Sequence, residues 1–520
     1  MRSQTSDMVI KNLWAKIPAQ TKVTFFTGVI SGLLTHAFMM ANKLPNHDDL
    51  WQLVGNQNSP ALGRWFVWFP ALFSGIFSIP WLSGVLSIFY ISIAACLVAA
   101  IAGMRKGLYC GLLAALMVTM PTVAGLMMYV HLSDAYFFAL LLAVFAAYTA
   151  LKWRYGFICA IIPLILSMGI YQTFLGVMAA LLLIGLAIGM LRDDMPWQKT
   201  LVKAVKLAAT LAVGVGGYVL SVRLTTPPDG LDSYQHFDQI GQIAKSRIPE
   251  YILNAYQRTA AFFFLNEHNF HLPFMAAAFA LSAIACTVLQ VLLCLRKRLH
   301  KKPPQLVLFV VLVALLPLAG AIIHMMGAYV VHDLMIYGML ALPILWLATA
   351  DLYAAAPPPK REKEKPFRGR AAAISTWIIA ATAVLTVYGF WLTSNQAYFK
   401  LFYGYEQTYA QSVLLVTRIQ RLEGYTSGTP IVLIGPLRWE ESIAELADIS
   451  LAGAQGIELF GCWSYPNFLV QYLAFNQEVA YHDIDLVEDE GTRAIIAAMP
   501  LYPNDGSLRF IGDEIYVRFK

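Results

Sequence analysis

Residues 79–103, IPWLSGVLSIFYISIAACLVAAIAG, carry no charged side chain, and Arg105 and Lys106 follow almost at once. A run of that length exceeds the roughly 20 apolar residues a helix needs to cross a bilayer, where only a helix or a closed barrel satisfies its own backbone hydrogen bonds. Working outward, similar runs recur along the chain. Spans are expected at 23–42, 79–103, 108–126, 135–151, 157–171, 174–191, 201–222, 273–295, 305–323, 333–353 and 371–393. The pair 157–171 and 174–191 is short and tightly joined through Gln172. Residues 66–78, FVWFPALFSGIFS, are apolar but short and interrupted by proline, and read as an interfacial or re-entrant helix.

Composition agrees with this mainly α, polytopic reading. The chain is 58% hydrophobic and 13% charged, with a mean hydropathy of +0.60. A soluble domain carries roughly a quarter charged residues, so 520 residues with this few could not cover a water-exposed globule. The basic residues cluster between apolar runs: Arg105-Lys106, Lys152 with Arg154, Arg192 to Lys206, Arg296 to Lys302, and Lys360 to Arg370. Alternate loops lack such clusters, which makes the basic ones cytoplasmic under the positive-inside rule. That pattern of span flanks explains the basic runs without a nucleic-acid partner. The first apolar run follows about twenty polar or amphipathic residues and reads as a signal anchor.

With eleven spans and a cytoplasmic start, residues 1–393 form the bundle and 394–520 lie outside. The tail holds 16 acidic against 8 basic residues, no obstacle to translocation because acids weigh little in orientation. It reads as a small folded α/β domain. Residues 429–435 (TPIVLIG) form a strand-length apolar run, 439–452 and 488–498 have helical spacing, and 507–511 with 514–519 form a hairpin about Gly512-Asp513. Residues 395–423 are expected to form a long helix leading off the membrane.

The outer loop after the first span carries the sharpest chemistry. Asn46-His47-Asp48-Asp49-Leu50 places two adjacent carboxylates about six residues beyond the span, and they cannot both lie in lipid. Either acid could serve as a general base taking a proton from a hydroxyl, or the pair could be a solvated helix start. Arg64, between Gly63 and Trp65, precedes an aromatic run. Its guanidinium suits a lipid-linked phosphate, or it anchors at the interface. Tyr171 and Gln172 could bind a polar ligand or cap a turn. His324, His332 and Asp333 flank an outer loop but lack a third metal ligand at useful spacing. Five cysteines lie in or beside apolar helices, and Cys462 alone sits in the tail, where no base for it is evident. No phosphate-binding glycine loop or nucleophile elbow is present, which disfavours ATP-driven transport.

Together, Asn46 to Leu50, Gly63-Arg64-Trp65, the stretch from Ser167 to Tyr171-Gln172, and Met499-Pro500-Leu501-Tyr502-Pro503 with Gly506-Ser507-Leu508 resemble the bacterial serotype-converting O-antigen glucosyltransferases of the Gtr type. The resemblance implies a GT-C polytopic glycosyltransferase in the bacterial inner membrane. It further implies a polyprenyl-phosphate sugar donor, a lipid-linked lipopolysaccharide O-antigen acceptor, and transfer of glucose on the periplasmic side. By that resemblance Asp48 or Asp49 is the base and Arg64 meets the donor phosphate. Arg223, Lys245 and Arg258 are the other outer cations available to it, and His47, Trp65, Tyr171, Gln172, His324 and His332 surround the substrate cavity. The sequence demands no cofactor and leaves a divalent cation open. A single base favours direct displacement with inversion. The competing expectation is a transporter or flippase of a lipid-linked sugar, against which stand the lack of an internal repeat and the ionisable residues gathered at span ends.

Overall fold

The computed structural model describes residues 5–54, 59–75, 77–193, 195–227, 230–231, 245–325, 331–356, 366–436, 443–456, 463–475 and 478–520. The chain opens with α1 (Ser6–Lys16), which buries no side chain, and α2 (Ala19–Ala41). After the first loop come the short α3 (Trp68–Ser74) and α4 (Pro80–Ala102). Pro80 starts α4 where its missing N–H goes unneeded, and Gly103 ends it in the left-handed conformation at φ 65°. Then follow α5 (Gly107–Thr119), α6 (Pro121–Met128), α7 (Ser133–Lys152), α8 (Gly156–Cys159), α9 (Ile161–Met168), α10 (Phe174–Asp193) and α11 (Trp197–Thr225). The second half holds α12 (Ile248–Ala260), α13 (Met275–Arg296), α14 (Pro303–Ala314), α15 (Leu316–Gly320), α16 (Ala341–Ala355) and α17 (Pro366–Gln420).

Ten helices among the described residues are long and apolar enough to cross a membrane. The eleventh expected span, 157–171, is instead the short pair α8 and α9. Pro163 has no N–H for the Cys159 carbonyl, which accounts for the break between the two. The segment still climbs most of the bundle. Lys203 on α11 donates to the Leu151 carbonyl below it, and Gln172 above it donates to Tyr218. Those two points on α11 are about 22 Å apart at 1.5 Å per residue, less than the roughly 30 Å of a bilayer's hydrocarbon. The loop that follows α9 is recessed among its neighbours, with Ile170, Tyr171, Gln172 and Thr173 all buried.

The centre of the bundle is α5–α6 and α10, whose apolar windows are both 89% buried, against 28% for α11 and 28% for α14–α15 at the periphery. Without a hydrophobic drive between helices in lipid, close approach depends on small residues. On α2, Gly32 lies against α4, where a Cβ would stand 2.8 Å from Ile88. The final span and the helix leading off the membrane are one element. α17 runs 55 residues, about 80 Å, from the bundle into the C-terminal region.

That region carries β1 (Ile431–Ile434), α18 (Tyr465–Tyr472), β2 (Val479–His482), α19 (Glu490–Ala498), β3 (Leu508–Ile511) and β4 (Glu514–Arg518). The sheet order is β2-β1-β4-β3, with β1 parallel to both neighbours and β3–β4 an antiparallel hairpin turning at Gly512, φ 63°. The strand, the hairpin and the helix near 488–498 lie where the sequence puts them. The expected helix over 439–452 does not form across its described part. Residues 443–456 hold one 3-10 turn (Ala444–Leu446) and are otherwise irregular, because their amides and carbonyls bond to side chains from other elements. Leu50, from the loop after α2, is fully buried in the core beneath the sheet with Leu415, Ile431, Phe468 and Val517. The loop after α2 and the C-terminal region thus share one core.

Candidate active site

The loop after α2 is organised by Asn46. Its Oδ1 accepts the N–H groups of Asp48 (3.0 Å) and Asp49 (2.9 Å), and its carbonyl accepts that of Leu50. This is the backbone-mimicking turn that asparagine side chains favour. It sends successive side chains to different places: Leu50 into the C-terminal core, Asp49 into the bundle, and His47 and Asp48 to the wall of a cavity.

The two carboxylates therefore have separate surroundings. Asp49 is fully buried. It accepts from the His131 ring (2.6 Å) and from the N–H groups of His131 (3.2 Å) and Val130 (3.3 Å). Ser78, which itself accepts from Lys43 (2.8 Å), stands 3.4 Å away. Burial alone would raise the Asp49 carboxyl, but His131 and the Lys43 ammonium hold it below the usual carboxylate value. Unlike Asp48, it is not among the described residues that line the cavity. Asp48 stays partly open, its side chain 41% exposed, with Oδ1 3.3 Å from the His47 Nε2.

His47 links Asp48 to the opposite wall. Gln455 Oε1 accepts the His47 backbone N–H at 2.9 Å, which fixes the amide so that its NH2 donates to His47 Nδ1 at 2.6 Å. The ring proton then sits on Nε2, facing Asp48.

Arg64 follows a turn closed by Gly63 in the left-handed conformation, φ 67°. Its guanidinium lies over the rings of Tyr171 (5.4 Å) and Tyr136 (5.8 Å) and donates to the Tyr136 hydroxyl (3.1 Å). Cation–π contact and a hydrogen bond hold it in one orientation. The turn is moored to the recessed loop after α9. Phe66 donates to the Gly169 carbonyl (2.9 Å), and Trp65 packs so closely on Gly169 that a Cβ there would meet it at 2.8 Å. Gln172 donates to the Leu62 carbonyl (3.0 Å) and Tyr218 (2.8 Å). Trp65 and Gln172 thus hold the wall in place, while Tyr171 forms part of it.

The cavity has a volume of about 550 Å³, within the range of small-molecule sites. His47, Asp48, Arg64, Tyr129, Tyr136, Tyr171 and His332 line the bundle side, and residues 447 and 449–455 form a roof. From α17 comes Lys400, which sequence reasoning did not single out. It is 5% exposed, lines the cavity and donates to the Ile449 carbonyl at 2.9 Å. Among the described residues no carboxylate pairs with it. A buried ammonium costs several kcal/mol unless an anion compensates it. Its sequence signal is a lone lysine in the aromatic stretch Tyr398–Tyr405. Tyr129, Tyr136, His131 and Gln455 were also missed, since nothing marks them apart from other polar groups beside apolar runs.

The other expected cations lie elsewhere. Arg223 is exposed on the last turn of α11, and Arg258 is exposed and paired with Glu267. The side chain of Lys245 lies outside the described residues, as does Cys462. His324 sits beside Arg258 and His268 rather than in the cavity, and burial pushes it down to about 4. His332 is in the cavity wall, its Nε2 buried with no partner among the described residues. Among those residues no three His, Cys, Asp or Glu side chains gather as a metal site.

The arrangement offers one partly open carboxylate, oriented by a histidine, and two cations around a space for a small anionic ligand. It can accept a proton and stabilise negative charge developing on a leaving group. Residues 37–343 match the family model described as Glucosyl transferase GtrII. No curated protein and no solved structure matches the chain.

Proposed function

Because the chain belongs to the GtrII glucosyl transferase family, as the match across residues 37–343 establishes, we propose that it moves glucose from a polyprenyl-phosphate donor to lipopolysaccharide O-antigen repeat units. The reaction takes place at the periplasmic face of the bacterial inner membrane, with the N-terminus cytoplasmic. The basic span flanks support that orientation, since they lie at the end of the bundle away from the cavity.

The observation that carries the reading is the gathering of Asp48, Arg64 and Lys400 on one cavity beside the recessed loop. The acceptor hydroxyl gives its proton to the Asp48 carboxylate while its oxygen bonds to the anomeric carbon. The bond from that carbon to the phosphate oxygen breaks, and the electron pair leaves with the polyprenyl phosphate. The donor phosphodiester carries one negative charge and the leaving phosphate two, so Arg64 and Lys400 stabilise the transition state more than the ground state. With Asp48 the one carboxylate among the described residues lining the cavity, displacement proceeds directly and with inversion. Helix α3 follows closely on Arg64 and exposes Trp68, Leu72 and Phe73, an apolar surface suited to the polyprenyl chain.

The test is transfer in vesicles holding the purified protein, polyprenyl-phosphate glucose labelled in the sugar, and a lipid-linked O-antigen acceptor. Label in the glycan is expected from the wild type. Movement of the donor across the vesicle with no glycan product would overturn the enzyme reading in favour of a flippase.

A further inference from the structure

A second cavity, about 400 Å³, lies at the far end of the bundle between the α7–α8 turn and the start of α11. Its walls bring together Arg154, Lys199, Lys203 and Lys206, with no acid among the described lining residues. Steps of four and three residues set the three lysines on one face of α11, where like charges repel. Lys203 donates to the Leu151 carbonyl and Lys206 lies over the Phe157 ring at 5.2 Å, so two of the cations are held in the groove rather than left to splay into water. Of the two acids just before α11, Asp193 is bound to Arg192 at 2.8 Å and also attracts the Lys203 ammonium, and Asp194 lies outside the described residues.

Charges that only orient a chain need to lie near the end of a span, and nothing requires them to converge on a groove. Here the surroundings suit a lipid. Trp153 and Tyr155 are exposed at the same turn, as aromatic residues are where headgroups meet water. Along the same helices, toward the middle of the bundle, Ile158 and Ile162 on one side and Val213 on the other are exposed. A phosphate among the cations would continue into acyl chains lying on this apolar strip.

We propose that this groove is a binding site for the headgroup of an anionic phospholipid, on the face opposite the glucosyl-transfer cavity. The phosphate compensates the converging lysines and fixes the α7–α8 turn against α11. The site is independent of the donor and acceptor reading above.

The experiment titrates the full-length protein in neutral detergent with phosphatidylglycerol or phosphatidylcholine and counts retained lipids by native mass spectrometry. One phosphatidylglycerol is expected to be retained at concentrations where phosphatidylcholine is not, with the difference shrinking in high salt. Lys203→Gln with Lys206→Gln should weaken retention about 25-fold, from about fivefold for each lysine removed. Val202→Trp fills the groove while leaving every charge in place, and should weaken retention as well. The proposal is overturned if both variants hold phosphatidylglycerol like the wild type, or if phosphatidylcholine is retained equally. Displacement of phosphatidylglycerol by lower concentrations of polyprenyl phosphate would also overturn it, by naming a different lipid as the occupant.

Discussion

The bundle wall and the roof face each other across the same cavity but are built in opposite ways. On the bundle wall the functional side chains are charged, and each is held by several neighbours: Asp48 beside His47, and Arg64 over two tyrosines. The roof, from Ala447 to Gln455, brings mainly small and apolar residues, and side chains from elsewhere hold its backbone. Lys400 takes the Ile449 carbonyl, Asp333 takes the Ala452 N–H, and His47 meets Gln455. Under the proposed function the wall carries the chemistry, and the roof covers it. The Gln455–His47–Asp48 relay is where the roof touches the proposed base.

The sharpest way to break this division is at Asp48. Asp48→Asn keeps shape and removes the proton acceptor, so glucosyl transfer should fall by about 10² to 10⁴. Labelled glucose in the glycan, normalised to folded protein, measures it, and a wild-type rate would remove Asp48 as the base. Next come the cations. Arg64→Ala and Lys400→Met should each lower the rate by about 10² to 10³, with the loss seen in donor rather than acceptor dependence. If Lys400→Met leaves donor dependence unchanged while Arg64→Ala does not, the phosphate is met from the bundle alone.

Asp49 should behave differently from its neighbour. Asp49→Asn disturbs a buried network that includes His131 and Lys43, and breaking such a pair costs about 3–5 kcal/mol. Its expected signature is a lower thermal midpoint and a lower folded yield, with much less loss per folded molecule than Asp48→Asn. Equal loss of catalysis at unchanged stability would reverse the roles given to the two acids.

The same contrast explains what could be read from the sequence. Spans were legible because twenty apolar residues have few other uses, and the acids and Arg64 because charge beside a span stands out. The adjacent letters Asp48 and Asp49 could not be told apart. Their difference lies in His131, 82 positions away, and in a turn that Asn46 closes. The apolar spacing of the roof fits a helix. Its backbone is claimed instead by Asp333 and Lys400, partners that spacing does not reveal. Lys400 is hidden for a related reason, since one lysine among aromatics looks like a span flank until the cavity around it is known.

The smallest expected effect tests how the roof is fastened. Asp333 is buried and accepts the Ala452 N–H at 2.9 Å, and burial pushes its carboxyl from an ordinary 3.8 up to about 6. The folded protein therefore holds this proton over a range where the unfolded chain has released it. Stability from this group is greatest below pH 4 and declines as the pH rises through 6, by a total on the order of 3 kcal/mol. Asp333→Asn can still accept the Ala452 N–H through its amide oxygen but does not titrate. The variant's thermal midpoint should therefore gain on the wild type between pH 4 and pH 7, with the gap constant above that. A gap independent of pH would mean that the carboxyl is ionised at an ordinary pH, and that the roof is fastened mainly by Lys400 and Gln455.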